Sequence, residues 1–409
     1  MSKNIFTLIF TVTLLSNLRA QDCCKALQYK STFRDNAAMQ FEEQRIQDQI
    51  LKDRNAIQTR SIITIPIVVH VIYNRDEENI PDAQIYSQID ALNRDYRHRN
   101  ADSTKTPNVW KPLAADIGIE FCLAVKDTLG NVTTGITRTK TTQTFIEFES
   151  VKQSKTGGYD NWNPQKYLNI WVTNIGGGYY GFSPYPTQLV KNPGSDGVVV
   201  HYKAFGISPN NFPNLNLGRT AVHEVGHWLN LLHPFGDSSS VTCATDFVAD
   251  TPPEHTANHG CPVFPKWDDC TFGGNGVMFM NYMDYSDDAC MNLFTLGQKE
   301  RMLAALNLYR SSILSSNACG LVSVSNDVAS ISFSVSPNPI SSNILLCNFE
   351  ELIAEGYINI FDVSGKSIFN QKFYSSYQQI LSLPALNAGL YFVQLITDKG
   401  RATIKIIKN

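Results

Sequence analysis

Three of the chain's eight histidines fall within eleven residues, His223-Glu224-Val225-Gly226-His227-Trp228-Leu229-Asn230-Leu231-Leu232-His233. Residues four apart share one face of a helix, so His223 and His227 can both point at one ion. His233 lies six residues after His227, and a continuous helix would carry it off that face. The helix must therefore end and the chain turn back. Asn230 is the expected turning point, because asparagine tolerates the left-handed conformation that closes helices. Pro234 then prevents the helix from resuming. Three neutral imidazoles leave a fourth tetrahedral position for water, the arrangement of a catalytic zinc site. Zinc lowers the pKa of bound water from about 15.7 toward roughly 7. Glu224 is badly placed to be a third ligand, but it can take that proton and return it to a leaving amine. The chemistry so read is peptide hydrolysis by a zinc-dependent endopeptidase. The alternative is a non-catalytic, zinc-containing surface adhesin that keeps the metal for stability. Such a site has no use for a general base and usually fills its fourth position with a side chain. No fourth ligand is evident at the motif.

The elements that must position these residues have an α/β order. The β-branched run Ile62 to Tyr73 reads as a buried strand. Ile85, Ile89, Leu92 and Tyr96 give the segment Pro81 to Tyr96 one apolar helical face. Ile117 to Val125, Tyr167 to Ile175 and Gly197 to Tyr202 read as further strands, all ahead of the histidine motif. The pattern predicts a twisted sheet with a backing helix. A second long helix is expected over Thr295 to Leu314, opened by a capping box of Thr295 and Gln298. Before the first strand, Met39 to Arg54 is rich in Gln, Glu, Arg and Asp and lacks a core-like apolar face, so it reads as a solvated helix in a propeptide or arm.

The chain has 409 residues, enough for two or three folded units. Its formal net charge of -3 and the lack of a large basic cluster point away from a nucleic-acid partner. Lys3 and the apolar stretch Ile5 to Leu15, followed by Leu18-Arg19-Ala20, read as a secretory signal, residues 1–20. No other segment approaches a transmembrane span in length. Nine cysteines suit an exported protein. Cys243, Cys261, Cys270 and Cys290 crowd one region and allow three pairings, or a second, structural zinc. The partners of Cys122, Cys319 and Cys347 are open at this level.

These motifs resemble the pappalysin family of metzincin metallopeptidases. The family pattern is HExxHxxGxxH, usually with tryptophan after the second histidine, as Trp228 stands here; Asn230 occupies the usual glycine. Asn281-Tyr282-Met283-Asp284-Tyr285 looks like the family's Met-turn. The resemblance implies that Met283 lies beneath the zinc and that Tyr285 donates a hydrogen bond to the oxyanion of the tetrahedral intermediate. It implies the disulfides Cys243–Cys270 and Cys261–Cys290. Asp246, Asp250 and Thr251 resemble a loop that binds calcium in some members, with Asp246 also a candidate for favouring a basic residue after the scissile bond. The strand Tyr167 to Ile175, ending at Gly176-Gly177-Gly178, is the candidate edge strand that takes substrate as an added strand. Residues 61–318 are thus expected to form the catalytic domain. Residues 21–60 look like its prosegment, released near Arg60, with Cys23 or Cys24 a candidate thiolate block on the zinc.

From Ile331 the chain changes to short alternating strands separated by turns, which suggests a small all-β sandwich. Residues 331–409 resemble the C-terminal sorting domain of the type IX secretion pathway. The matching pieces are Ser336-Pro337-Asn338-Pro339, Ile358 to Lys366, Leu390 to Leu395 and the final Lys405-Ile406-Ile407-Lys408. A linker over 319–330 separates the two. The resemblance implies export through the periplasm to the cell surface or medium, with a translocon as partner and proteins or peptides as substrates.

Overall fold

The computed structural model describes residues 36–55, 62–143, 149–236, 243–319, 333–362, 367–397 and 400–409. The expected signal, Cys23, Cys24, Arg60 and residues 320–330 of the expected linker lie outside them. The chain divides into two units between Gly320 and Leu321. Among the described residues, no helix is long and apolar enough to cross a membrane.

The first unit is built on a six-stranded sheet. Its strands are β1 (Ile63–Tyr73), β2 (Ile119–Leu123), β3 (Ile136–Lys140), β4 (Leu168–Thr173), β5 (Gly181–Phe182) and β6 (Val198–His201). The order is β2-β1-β4-β6-β5, with β3 also on β1. All pairings are parallel except β5 with β6. Side chains of a strand alternate between faces, and both faces of this sheet are covered. Ile65, Ile67, Val69 and Val71 of β1 join Leu168, Ile170 and Val172 of β4 and Val198 and Val200 of β6 in the main core. The intervening Ile72, Trp171 and Val199 pack in a second cluster with Phe182.

Helices α1 (Asn36–Asn55), α2 (Asp82–Tyr96), α3 (Pro186–Lys191), α4 (Arg219–Trp228) and α5 (Leu296–Tyr309) complete this unit. Ile85, Ile89, Leu92 and Tyr96 of α2 are buried in the main core, as their spacing predicts. The Tyr96 hydroxyl donates to the Val222 carbonyl of α4 at 3.2 Å. The capping box of α5 forms as read, with Thr295 Oγ1 accepting from Gln298 N and Gln298 Oε1 accepting from Thr295 N. The helix stops at Tyr309, short of the expected Leu314, and a 3-10 turn covers Ser311–Ser315.

Two expectations need correction. The polar helix α1 is solvated on one side only: Ile46 and Ile50 bury against Ala304 and Ala305 of α5. Two isoleucines four apart make a narrow stripe that a mean polarity hides. Polar contacts flank it, from Arg54 to Glu300, Asn307 to Asp53 and Arg301 to Glu43. Nor is the strand after Tyr167 an edge. β4 lies between β1 and β6, and all six of its residues are buried. The edge on the β6 side is β5, two residues long and too short for periodicity to reveal.

The second unit is all-β, with antiparallel strands β7 (Phe333–Ser336), β8 (Ile344–Asp362), β9 (Ser367–Ser382), β10 (Gly389–Thr397) and β11 (Gly400–Lys408). A register shift between Asn348 and Ile353 divides the long β8. Its first stretch pairs with β7 and its last with β10. Leu345 and Cys347 from the one, and Ile358 and Ile360 from the other, share one core with Val393, Leu395 and Ile406.

Candidate metal centre

All ten residues of α4 are buried, which sets His223, Glu224 and His227 inside the unit. The helix ends at Leu229, and Asn230 takes φ 75°, the left-handed turn expected of it. Leu231 N donates to Gly226 O at 2.9 Å and Asn230 N to His227 O at 2.8 Å. These are the two closing bonds of a Schellman motif. The reversal brings His233 back beneath the helix face.

The three imidazoles converge. His233 Nε2 lies 3.0 Å from His227 Nε2 and 3.3 Å from His223 Nε2. The outward nitrogens are held by carbonyls, His223 Nδ1 at 2.7 Å from Tyr282 O and His227 Nδ1 at 2.7 Å from Leu231 O. A carbonyl accepts only, so the proton of each of these two rings sits on Nδ1 and Nε2 keeps its lone pair. Burial, with the neighbouring His233, pushes the His223 imidazole down to about 3, so it is neutral. Electron pairs from buried rings meeting at such distances call for a cation between them. This donor set fits zinc, and among the described residues it is the one grouping of His, Cys, Asp or Glu that could hold a metal.

Two glycines let other elements approach this centre. A Cβ on Gly226 would sit 2.5 Å from Met283 Sδ, so the buried methionine lies directly against the helix between the two histidines. A Cβ on Gly181 would sit 2.5 Å from Glu224 Oε1, so the glutamate packs against the edge strand. Tyr285 is buried beside the centre, with ring centroids 5.7 Å from His223 and 5.0 Å from His233. Phe235 stacks on His233 at 4.7 Å.

The Met-turn is braced on both sides. Asn281 Oδ1 accepts from Met283 N and from Gln298 Nε2, and Asn281 Nδ2 donates to Gln298 Oε1. Asp284 Oδ1 accepts from Tyr285 N and Asn258 N, and Asn258 Nδ2 bridges Asp284 and Glu254. Burial pushes the Asp284 carboxyl up to about 6 and Glu254 well above the usual range. Nothing in the spacing of Asn258, Glu254 or Gln298 signals these roles, because each joins segments distant in sequence.

The cysteines pair as Cys243–Cys270 and Cys261–Cys290, and Cys122 joins Cys319 across 197 residues. Cys347 is free and buried in the second unit. The oxygens expected to take calcium have protein partners. Asp246 accepts from Val248 N and Thr251 Oγ1, and Asp250 accepts from Thr295 Oγ1 and Gly297 N at the start of α5. A carboxylate at a helix N-terminus satisfies free N–H groups there.

Residues 152–307 match the family model of peptidase M43, described as pregnancy-associated plasma protein-A. Residues 334–409 match that of the secretion system C-terminal sorting domain. An extracellular metalloprotease of Arthroderma otae is 32% identical over 261 residues, covering 61% of this chain and 80% of the relative. Among solved structures, Tannerella forsythia mature mirolysin in complex with a cleaved peptide is 49% identical, with TM-score 0.62 over 64% of this chain and 98% of the other. A Tannerella forsythia promirolysin mutant is 43% identical, with TM-score 0.66 over 72% of this chain and 97% of the other.

Proposed function

We infer, from the premise that this chain belongs to the pappalysin family of secreted zinc metalloendopeptidases and carries a type IX sorting domain, that His223, His227 and His233 hold the metal and Glu224 is the general base. When bound, zinc supplies Lewis acidity toward both water and the scissile carbonyl. The Glu224 carboxylate removes a proton from the attacking water as its oxygen bonds to the carbonyl carbon. It then returns that proton to the departing amine nitrogen as the C–N bond breaks. The Tyr285 hydroxyl donates to the oxygen that gains negative charge. Met283 does no chemistry and gives the three rings a dry floor. The single observation behind this reading is the meeting of three buried imidazoles through their Nε2 atoms, with a buried glutamate one residue after the first of them, packed against Gly181 of β5.

The test uses the purified chain freed of its arm, with zinc and a denatured protein as substrate. Glu224→Ala should keep stoichiometric zinc and lose cleavage by about 10²–10⁴-fold. Cleavage that persists in that variant, or in chelator, overturns the assignment. The same reading divides the chain into a signal over 1–20, a prosegment over 21–60, the catalytic domain over 61–318, a linker over 319–330 and a sorting domain over 331–409 that a translocon reads. N-terminal sequencing of the secreted product checks the first two boundaries.

A further inference from the structure

The turn between the second and third histidines begins at the end of α4, where the last carbonyls of a helix have no partner within it. Two arginines supply that partner. Arg310 Nε donates to the Trp228 carbonyl at 3.1 Å, and Arg301 Nε donates to the Asn230 carbonyl at 2.8 Å. Both guanidiniums are buried, and each is matched by a carboxylate. Arg310 forks onto Asp196, with contacts of 2.9 and 2.8 Å, and lies 3.7 Å over the Trp228 ring. The Trp228 indole N–H donates to the same Asp196 at 3.1 Å. Arg301 Nη1 donates to both oxygens of Glu43, on α1, at 2.8 Å.

We propose that Arg301 and Arg310 are positioning residues for the metal site, clamping the turn Trp228–Asn230 so that His233 meets His223 and His227. The argument is one of cost. Taking two guanidiniums out of water costs several kcal/mol each, and well-packed apolar side chains stabilise such places as well or better. Apolar side chains cannot fix the direction of a carbonyl. Here the carbonyls at both ends of a three-residue turn are fixed, next to the Leu231 carbonyl that orients the His227 ring. Positive charge also suits the negative end of the α4 dipole.

This rests on the three histidines being the zinc ligands, and the experiment separates the two claims. The full chain is titrated with zinc against a fluorescent chelator, and its melting temperature is read with zinc and with excess chelator. His227→Ala should abolish tight zinc binding; if it does not, the ligand assignment fails and the clamp with it. Given that result, Arg301→Lys and Arg310→Lys keep the charge and lose the planar guanidinium that reaches a carbonyl and a carboxylate at once. Each should weaken zinc binding by about tenfold, narrow the gap between the zinc and chelator melting temperatures, and alter the visible spectrum of the cobalt-substituted protein. Melting temperatures lowered equally with and without zinc, at unchanged zinc affinity, would overturn the proposal. Arg301→Lys decides alone if Arg310→Lys does not fold; it is read in the full chain, because its carboxylate partner Glu43 lies on α1, in the segment read as the prosegment.

Discussion

At the residue scale, the division of labour around the centre follows from what each atom is bonded to. His223 and His227 give their Nδ1 protons to carbonyls, which leaves Nε2 for a metal. Tyr285 packs its ring against His233 and His223, with centroids 5.0 and 5.7 Å away, which sets it beside the centre. Tyr285→Phe keeps the ring packing and removes the donor. We expect kcat to fall on the order of 10²-fold with KM little changed, as for loss of one oxyanion donor. Equal losses in both parameters, measured by steady-state cleavage of a fluorogenic peptide, would assign Tyr285 to packing alone.

At the element scale, α4 is held at both ends by buried charge. Its C-terminal turn meets Arg301 and Arg310, and Arg219 at its start reaches Asp102 at 2.6 and 2.8 Å and Asp95 at 3.3 Å. Burial pushes the Asp102 carboxyl up, but the hydrogen bonds and charge of Arg219 outweigh it and hold the group below its ordinary 3.8. A depressed folded value means that the unfolded chain binds the proton more tightly. The pair therefore contributes stability in full above about pH 4 and loses it as pH falls through the depressed value. Urea midpoints between pH 5 and 2.5 should fall less steeply in Asp102→Asn than in the wild type. Parallel slopes would show that Asp102 carries no such linkage. The reading of α1 belongs to this scale too. Its composition is that of a solvated helix, yet Ile46 and Ile50 bury against Ala304 and Ala305, with polar contacts to α5 on either side.

At the scale of the molecule, two units with separate cores imply two stability domains. Zinc that binds only the folded first unit stabilises it by about 4 kcal/mol at a thousandfold excess over Kd. Calorimetry should therefore show chelator lowering one transition and leaving the other, assigned to residues 333–409, in place. A shift of both would contradict the independence of the units. The Cys122–Cys319 bridge closes the part of the first unit from β2 to the segment after α5 into one loop. Its entropic constraint is of the size usually found for native disulfides, on the order of 2–5 kcal/mol.

The sequence by itself pointed to a zinc metallopeptidase and to most of the elements. The i, i+4 histidines, the left-handed Asn230, the capping box at Thr295 and the apolar face of α2 are written in neighbours within one or two helical turns, where spacing and backbone preference act directly. Only the tertiary structure decided which strand forms the edge, that Gly181 makes room for Glu224 and Gly226 for Met283, and that Cys122 finds Cys319. The same holds for Asp196 with Arg310, 114 residues apart, and for Glu43 with Arg301, 258 apart. Such pairs have no local signature. They exist because collapse of the sheet and helices around one core brings distant polar groups out of water together, where each must find a partner.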